Sequence, residues 1–260
     1  MSPLRVPLLL AVATCVHGGE PPPGALDQAN RANAQAIDAF ARGDLDQAEA
    51  MASLCLQYVP SYFDCLNTQG LVAERRGDRK KAKELFLASV RANQEFLSGY
   101  YNLGRLALQD GDAAKAERLF ARALQVNPVD RNAMYMRAAA LQALGDLPGA
   151  EKQLRQLAGV YPNDAEGQYA LGAILVLEKR CQDALPSLQQ AVLLDPSLAR
   201  AQQALGAVQI ECGTLAGARD AFEACIDADP QNAECRRSLE HVERTLPLEP
   251  PPPAIAPGDE

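Results

Sequence analysis

The sequence predicts an all-α chain, a solenoid of six two-helix units closed by a C-terminal helix, and three observations carry that prediction. Pro60, Pro128, Pro162, Pro196 and Pro230 stand on one 34-residue grid without insertions, and the vacant grid point, Gln94, follows Asn93 where Asn127 and Asp195 precede their prolines. Small residues recur in the same register. Hydrophobic residues make up 48% of the 260 but aromatics only 5%, with no Trp, so Ala and Leu fill the core, as in packed helices rather than sheets. A period of this length marks an array in which each unit buries its apolar face on the next.

With proline as position 32, the units run 29–62, 63–96, 97–130, 131–164, 165–198 and 199–232. Position 8 is Ala36, Gly70, Gly104, Ala138, Gly172 and Gly206, and position 20 is Ala48, Ala82, Ala116, Ala150, Ala184 and Ala218. Two antiparallel helices, A and B, approach closely only where side chains are minimal, so these positions mark their crossing. Position 15 is Gly43, Gly77, Gly111, Gly145, Lys179 and Gly213. A glycine there ends helix A in a left-handed cap, and Asp44, Asp78, Asp112 and Asp146 follow it to cap helix B. Phe86, Phe120, Leu154, Leu188 and Phe222 at position 24 fill the core, and the proline stops helix B. Residues 233–246 repeat the helix A pattern and carry Arg236, Arg237, Glu240 and Glu243, so they are expected to cap the array.

The ends differ from the array. Residues 1–14 carry Arg5 and a short apolar run from Val6 to Ala13, the pattern of a signal peptide rather than a membrane span. Ala11-Val12-Ala13 fits ordinary signal cleavage, whereas Val12-Ala13-Thr14-Cys15 resembles the bacterial lipobox, which leaves a lipidated Cys15; Thr14 departs from the usual small residue there. Residues 15–28, rich in Gly and Pro at their start, are expected to be a flexible tether. Residues 247–260, with Pro250 to Pro253 in a row, are expected to be a polyproline II or disordered tail.

The spacing and residue types resemble the tetratricopeptide repeat (TPR) family across all six units, 204 of 260 residues, with unit 1 the weakest match because it has Gln35 at position 7 and Ala52 at position 24. The resemblance implies a right-handed superhelical solenoid of six TPR helix pairs plus a C-terminal capping helix, with helix A positions 2, 5, 9, 12 and 13 lining a concave groove. Position 5 then places Tyr101, Tyr135 and Tyr169 on a ladder after Asn67, joined by Leu108, Val176, Leu177 and Ile210 at positions 12 and 13. Tyrosine offers a rigid apolar face with a polar tip, suited to a protein or peptide segment; the competing reading is that these rings pack between successive A helices. The carboxylate clamp of chaperone-binding repeats needs Lys and Arg beside Asn, and Asn33 and Asn67 lack that company, which disfavours an acidic C-terminal peptide.

Within such a fold, helix B of one unit faces helix A of the next, so facing positions have a roughly constant sum. Cys55 and Cys65 occupy positions 27 and 3, as do Cys225 and Cys235, while Cys181 and Cys212 occupy 17 and 14. Three disulfides are therefore expected, Cys55 with Cys65, Cys181 with Cys212 and Cys225 with Cys235, each adding roughly 2 to 3 kcal/mol and implying an oxidising compartment. The alternative is that a buried free Cys serves as a small residue. Pairing six of the seven cysteines leaves Cys15, where a lipid would sit.

A net charge of −8 argues against a nucleic-acid surface. The sequence has no catalytic constellation, no metal-ligand spacing and no cofactor motif, so it is expected not to be an enzyme. A lipid anchor followed by six repeats resembles the pilotin lipoproteins of type IV pilus systems. That resemblance implies a chaperone in the bacterial envelope, lipid-anchored to the outer membrane and facing the periplasm, that assists secretin assembly. The alternatives are a structural subunit of another envelope motility or secretion machine, or a soluble periplasmic peptide-binding module.

Overall fold

The computed structural model describes residues 22–246, which hold thirteen helices. The A helices are α1 (Ala25–Ala41), α3 (Phe63–Arg75), α5 (Leu97–Gln109), α7 (Arg131–Ala143), α9 (Ala165–Leu177) and α11 (Ala199–Glu211). The B helices are α2 (Leu45–Tyr58), α4 (Arg79–Ala92), α6 (Ala113–Val126), α8 (Leu147–Val160), α10 (Cys181–Leu194) and α12 (Leu215–Ala228), followed by the capping helix α13 (Ala233–Thr245). The expected signal peptide 1–14, Cys15, the first part of the tether and the tail 247–260 lie outside the described residues. The chain divides into two compact units, residues 1–99 and 100–260.

The same local chemistry turns A into B in every hairpin. Gly43, Gly77, Gly111, Gly145 and Gly213 adopt φ between 78° and 85°, and Lys179 takes the same left-handed place at φ 59°. The residue after each donates its backbone N–H five residues back, as from Asp44 to Ala39, Asp112 to Ala107 and Arg180 to Leu175, which closes a Schellman motif and occupies a carbonyl the helix leaves over. Asp44, Asp78, Asp112 and Asp146 then accept from the backbone N–H three residues on, capping the B helix. Arg180 and Thr214 stand in that place in the last two hairpins and give no side-chain cap. At the other end a turn encloses position 32: Tyr62 donates to Val59, Asp164 to Tyr161 and Asn232 to Asp229, with proline at the second place of the turn, where its fixed φ is already suitable. Gln94 sits in an equivalent turn, closed by Phe96 donating to Asn93, so the geometry does not require the proline.

In the first unit, α1 begins at Ala25, which corrects the expected tether: residues 25–28 are helical. Gly24, left-handed at φ 83°, starts the helix, Asp27 favours its first turn, and Ala25 and Ala29 are buried, so an extra turn gains core contact that proline-free sequence permits. Ala29, Ala32, Cys55 and Cys65 form one core cluster, and Ala39, Ala48 and Val72 another. Thr68 donates its hydroxyl to Asn33 at 2.8 Å, satisfying two buried polar groups. Phe86 is fully buried against Gly70, where an added Cβ would sit 2.5 Å from the ring.

In the second unit the same contact recurs: Gly104 meets Phe120 and Gly206 meets Phe222, in both cases with an added Cβ 2.8 Å from the ring, and Gly172 meets Leu188 at 2.6 Å. Position 8 therefore lies under position 24, and the alanines at position 20 are all fully buried beside them. Leu154, Leu157, Leu171, Ile174, Leu175, Leu188 and Val208 build the main core across α8 to α11. The capping helix buries only Cys235 and Val242, and its other face is polar.

Candidate functional site

The first turns of α7, α9 and α11, with Tyr101 of α5, frame an open cleft of about 320 Å³, lined by Tyr101, Arg131, Asn132, Tyr135, Met136, Glu166 and Arg200. Each helix contributes its first two turns, so the side chains share one register of the repeat. Arg131 donates to both oxygens of Asp164, Nε at 2.8 Å and Nη2 at 2.5 Å, and Arg200 donates to Glu166 one repeat away. The Arg200 guanidinium also lies over the Tyr169 ring, 5.1 Å from its centroid, a cation–π contact. Each bond to a carboxylate holds its arginine above the usual guanidinium range, against the opposing effect of burial, so both stay charged. Burial, then the charge of Glu166, raises the Tyr135 phenol, which therefore stays protonated and able to donate at neutral pH.

Two arginines balanced by two carboxylates make a cleft with little net field but with charged donors left over, because a guanidinium carries five N–H groups and these bonds occupy only part of them. Both arginine side chains remain about half exposed, at 45% and 51%. Tyr101, Tyr135 and Met136 supply apolar surface between them. Such a lining suits an extended or helical protein segment with an apolar side and carbonyl or carboxylate acceptors. Among the described residues no group of His, Cys, Asp and Glu could hold a metal ion, and no described helix is long and apolar enough to cross a membrane.

The predicted groove residues divide. Tyr101 and Tyr135 line the cleft while also packing inward, Tyr101 against Phe120 with ring centroids 5.8 Å apart. Tyr169 forms the support beneath Arg200. Leu108 and Val176 are half-buried against core clusters, and Ile210 packs toward the C-terminal core, because position 12 points partly between neighbouring helices. Leu177, at 52%, is exposed at the end of α9. Asn67 is buried within α3, in the first unit, and takes no part in this cleft. Arg131, Asn132, Glu166 and Arg200 are the residues the sequence left unnamed. They hold positions 1 and 2 of their units, and the signal was present as an arginine and a carboxylate one repeat apart.

The cysteines meet in pairs. Cys55 with Cys65, Cys181 with Cys212 and Cys225 with Cys235 face each other with Cα separations of 6.2, 6.2 and 6.3 Å, within reach of a disulfide. Positions 27 and 3 face each other elsewhere too: an added Cβ on Gly99 would lie 2.8 Å from the Ser89 hydroxyl, and one on Gly167 3.1 Å from Leu157. The pairs thus use a contact that the repeat makes at other junctions with a glycine on one side.

Stacked helical hairpins presenting an open cleft of tyrosine and arginine define a repeat scaffold of the protein-binding class. Tetratricopeptide repeat profiles match residues 31–53, 67–133, 107–174 and 178–233, and the chain belongs to the tetratricopeptide repeat family. Among solved structures it is similar to pilF of Pseudomonas aeruginosa, with a TM-score of 0.73 at 12% identity over 86% of this chain and 100% of that one. It is also similar to YrrB, a TPR protein with an unusual peptide-binding site, with a TM-score of 0.61 at 16% identity over 74% of this chain and 97% of that one. MamA from Desulfovibrio magneticus RS-1 gives 0.59 at 21% identity over 66% and 97%. At these identities the likeness is one of fold. No curated protein matches the chain.

Proposed function

We propose that this chain is a non-enzymatic protein-binding scaffold of the bacterial cell envelope, anchored to the outer membrane through a lipid on Cys15 and acting as a pilotin-like chaperone in secretin assembly for type IV pili. The observation that carries the binding role is the cleft of Tyr101, Tyr135, Arg131 and Arg200, which offers apolar faces and spare charged donors but no reacting group. The envelope location is supported by the signal-like leader, by Cys15 at the end of its apolar run, and by three cysteine pairs within bonding reach, which an oxidising compartment would keep joined. The pilotin reading is supported by the combination of leader, lipobox and six repeats. In this mechanism the cleft covers an apolar segment of the secretin subunit until assembly buries it.

Cells lacking this chain test the reading directly. They are expected to retain secretin as monomers where the parent strain shows multimers; normal multimers in its absence would reject the pilotin role. A chain with Cys15→Ser is expected to leave the membrane fraction.

A further inference from the structure

We propose that Cys181 and Cys212 are the thiol-exchange site of this chain, a disulfide that an external dithiol opens in the folded protein while the other two pairs stay closed. The inference rests on reading the three cysteine pairs as disulfides. Burial separates the pairs. Cys55, Cys65, Cys225 and Cys235 are all 0% exposed and sit in core clusters, whereas Cys181 and Cys212 are both partly exposed. Exchange requires a thiolate to reach a sulfur of the bond. A pair sealed in a core therefore reacts only after local unfolding, and a pair at the surface reacts in the native state.

The place in the fold differs as well. The buried pairs lie inside helices, at positions 27 and 3, but Cys181 is the first residue of α10 and Cys212 the C-cap of α11, so this pair ties one hairpin tip to the next. These are also the two hairpins without an aspartate cap: neither Arg180 before α10 nor Thr214 before α12 accepts from the helix it precedes. The first turn of α10 thus keeps N–H groups without a side-chain acceptor, and its one acid, Asp183, is held by Arg180 at 2.8 Å. A sulfur at the start of a helix leaves well as a thiolate, because those N–H groups and the positive helix end favour its charge; a sulfur at a helix C-terminus has no such help. The attacking thiolate accordingly bonds to Sγ of Cys212, the S–S bond breaks, and its electron pair departs on Sγ of Cys181, which takes a proton from water. The second thiol of the dithiol then displaces Cys212 from the mixed disulfide. Two electrons and two protons pass to the pair, and the dithiol becomes a disulfide. Opening unties the two tips and takes no buried cysteine out of the core.

Timed reduction of the folded, non-reduced chain with dithiothreitol tests this. Each sample is quenched with N-ethylmaleimide, then unfolded, fully reduced and alkylated with iodoacetamide, so that peptide mass spectrometry gives the opening rate of every pair. Cys181 and Cys212 are expected to take the first label at least tenfold faster than Cys55, Cys65, Cys225 and Cys235. Equal rates for the three pairs, or a buried pair opening first, overturn the proposal. With glutathione in place of dithiothreitol, the trapped mixed disulfide is expected on Cys212; glutathione found mainly on Cys181 overturns the assigned order of attack. If all six cysteines take the first label before any reductant is added, the disulfide reading itself falls and the exchange site with it. If the three bonds are present and that of Cys181 with Cys212 opens no faster than the others, the exchange site alone falls and the disulfide reading stands.

Discussion

Gly104 shows how a single missing carbon sets the distance between two helices. Its unit pairs glycine at position 8 with Phe120 at position 24, as two other units pair Gly70 with Phe86 and Gly206 with Phe222, whereas the unit with Leu154 carries Ala138 instead. A Cβ at Gly104 would meet a fully buried ring at 2.8 Å, so Gly104→Ala is expected to destabilise the protein by about 1 to 3 kcal/mol in urea denaturation. Adding Phe120→Leu recreates the Ala138–Leu154 combination. The double variant is therefore expected to lose less than the sum of the single losses, and strict additivity would mean that the two positions do not share the space. Lys179 is the converse case, a side chain at φ 59° where every other unit has glycine. Lys179→Gly is expected to raise stability by up to about 1 kcal/mol, the relief of left-handed strain less the extra freedom glycine brings to the unfolded chain. An unchanged urea midpoint would show that the Lys179 turn carries no strain.

At the level of helices, the departure at Lys179–Arg180 is accompanied by a different fastening. Arg180, which cannot cap α10 as aspartate does, bonds Glu178, Asp183 and Glu151 of α8, each at 2.8 Å. Burial raises the Glu151 carboxyl, but hydrogen bonds from Arg155 and Arg180 outweigh it and leave the group below its usual range. The capping helix is held more lightly, with Cys235 and Val242 as its buried residues. Cys225→Ala with Cys235→Ala removes the link between α12 and α13 while leaving a pair of a size the repeat already accepts, since Ala123 and Ala133 fill the same two positions in the third and fourth units. The expected loss is about 2 to 3 kcal/mol, with α13 the first helix to lose hydrogen-exchange protection. If α13 stays as protected as α11, packing rather than the covalent link holds that end.

For the molecule as a whole, Tyr135 is the residue whose loss separates binding from folding. It is half-buried at the cleft floor, and Tyr135→Ala is expected to weaken partner affinity about tenfold or more while circular dichroism stays helical. Unchanged affinity would return the tyrosines to a purely packing role. Intact mass of the mature chain, before and after reduction, reports on compartment and pairing together: acyl groups on Cys15 and a gain of six hydrogens are expected, and six free thiols would reject the disulfides. The array was legible because its determinants are local and periodic. Glycine at 15, proline at 32 and small residues at 8 and 20 act within one hairpin, so their spacing is visible along the chain.

What the sequence by itself determined is therefore the all-α repeat, its register and the facing of the cysteines, because each follows from contacts between neighbouring helices at a fixed offset. The tertiary structure alone decided which groove positions point outward. Leu108, Val176 and Ile210 at position 12 belong to the same expected groove face as Tyr101 and Tyr135 at position 5, yet position 12 packs against the core clusters between neighbouring helices. It also decided that Arg131 and Arg200 stand in the cleft, since an arginine in the first turn of a helix looks like any solvated residue until the next helix brings Asp164 or Glu166 against it. Likewise the start of α1 at Ala25, before the first repeat position, was decided by burial of Ala25 and Ala29, to which the local signals of Gly24 and Asp27 only contribute. Periodicity records what each helix does to its neighbour; the side chains free to meet a partner are those left over once the helices have packed.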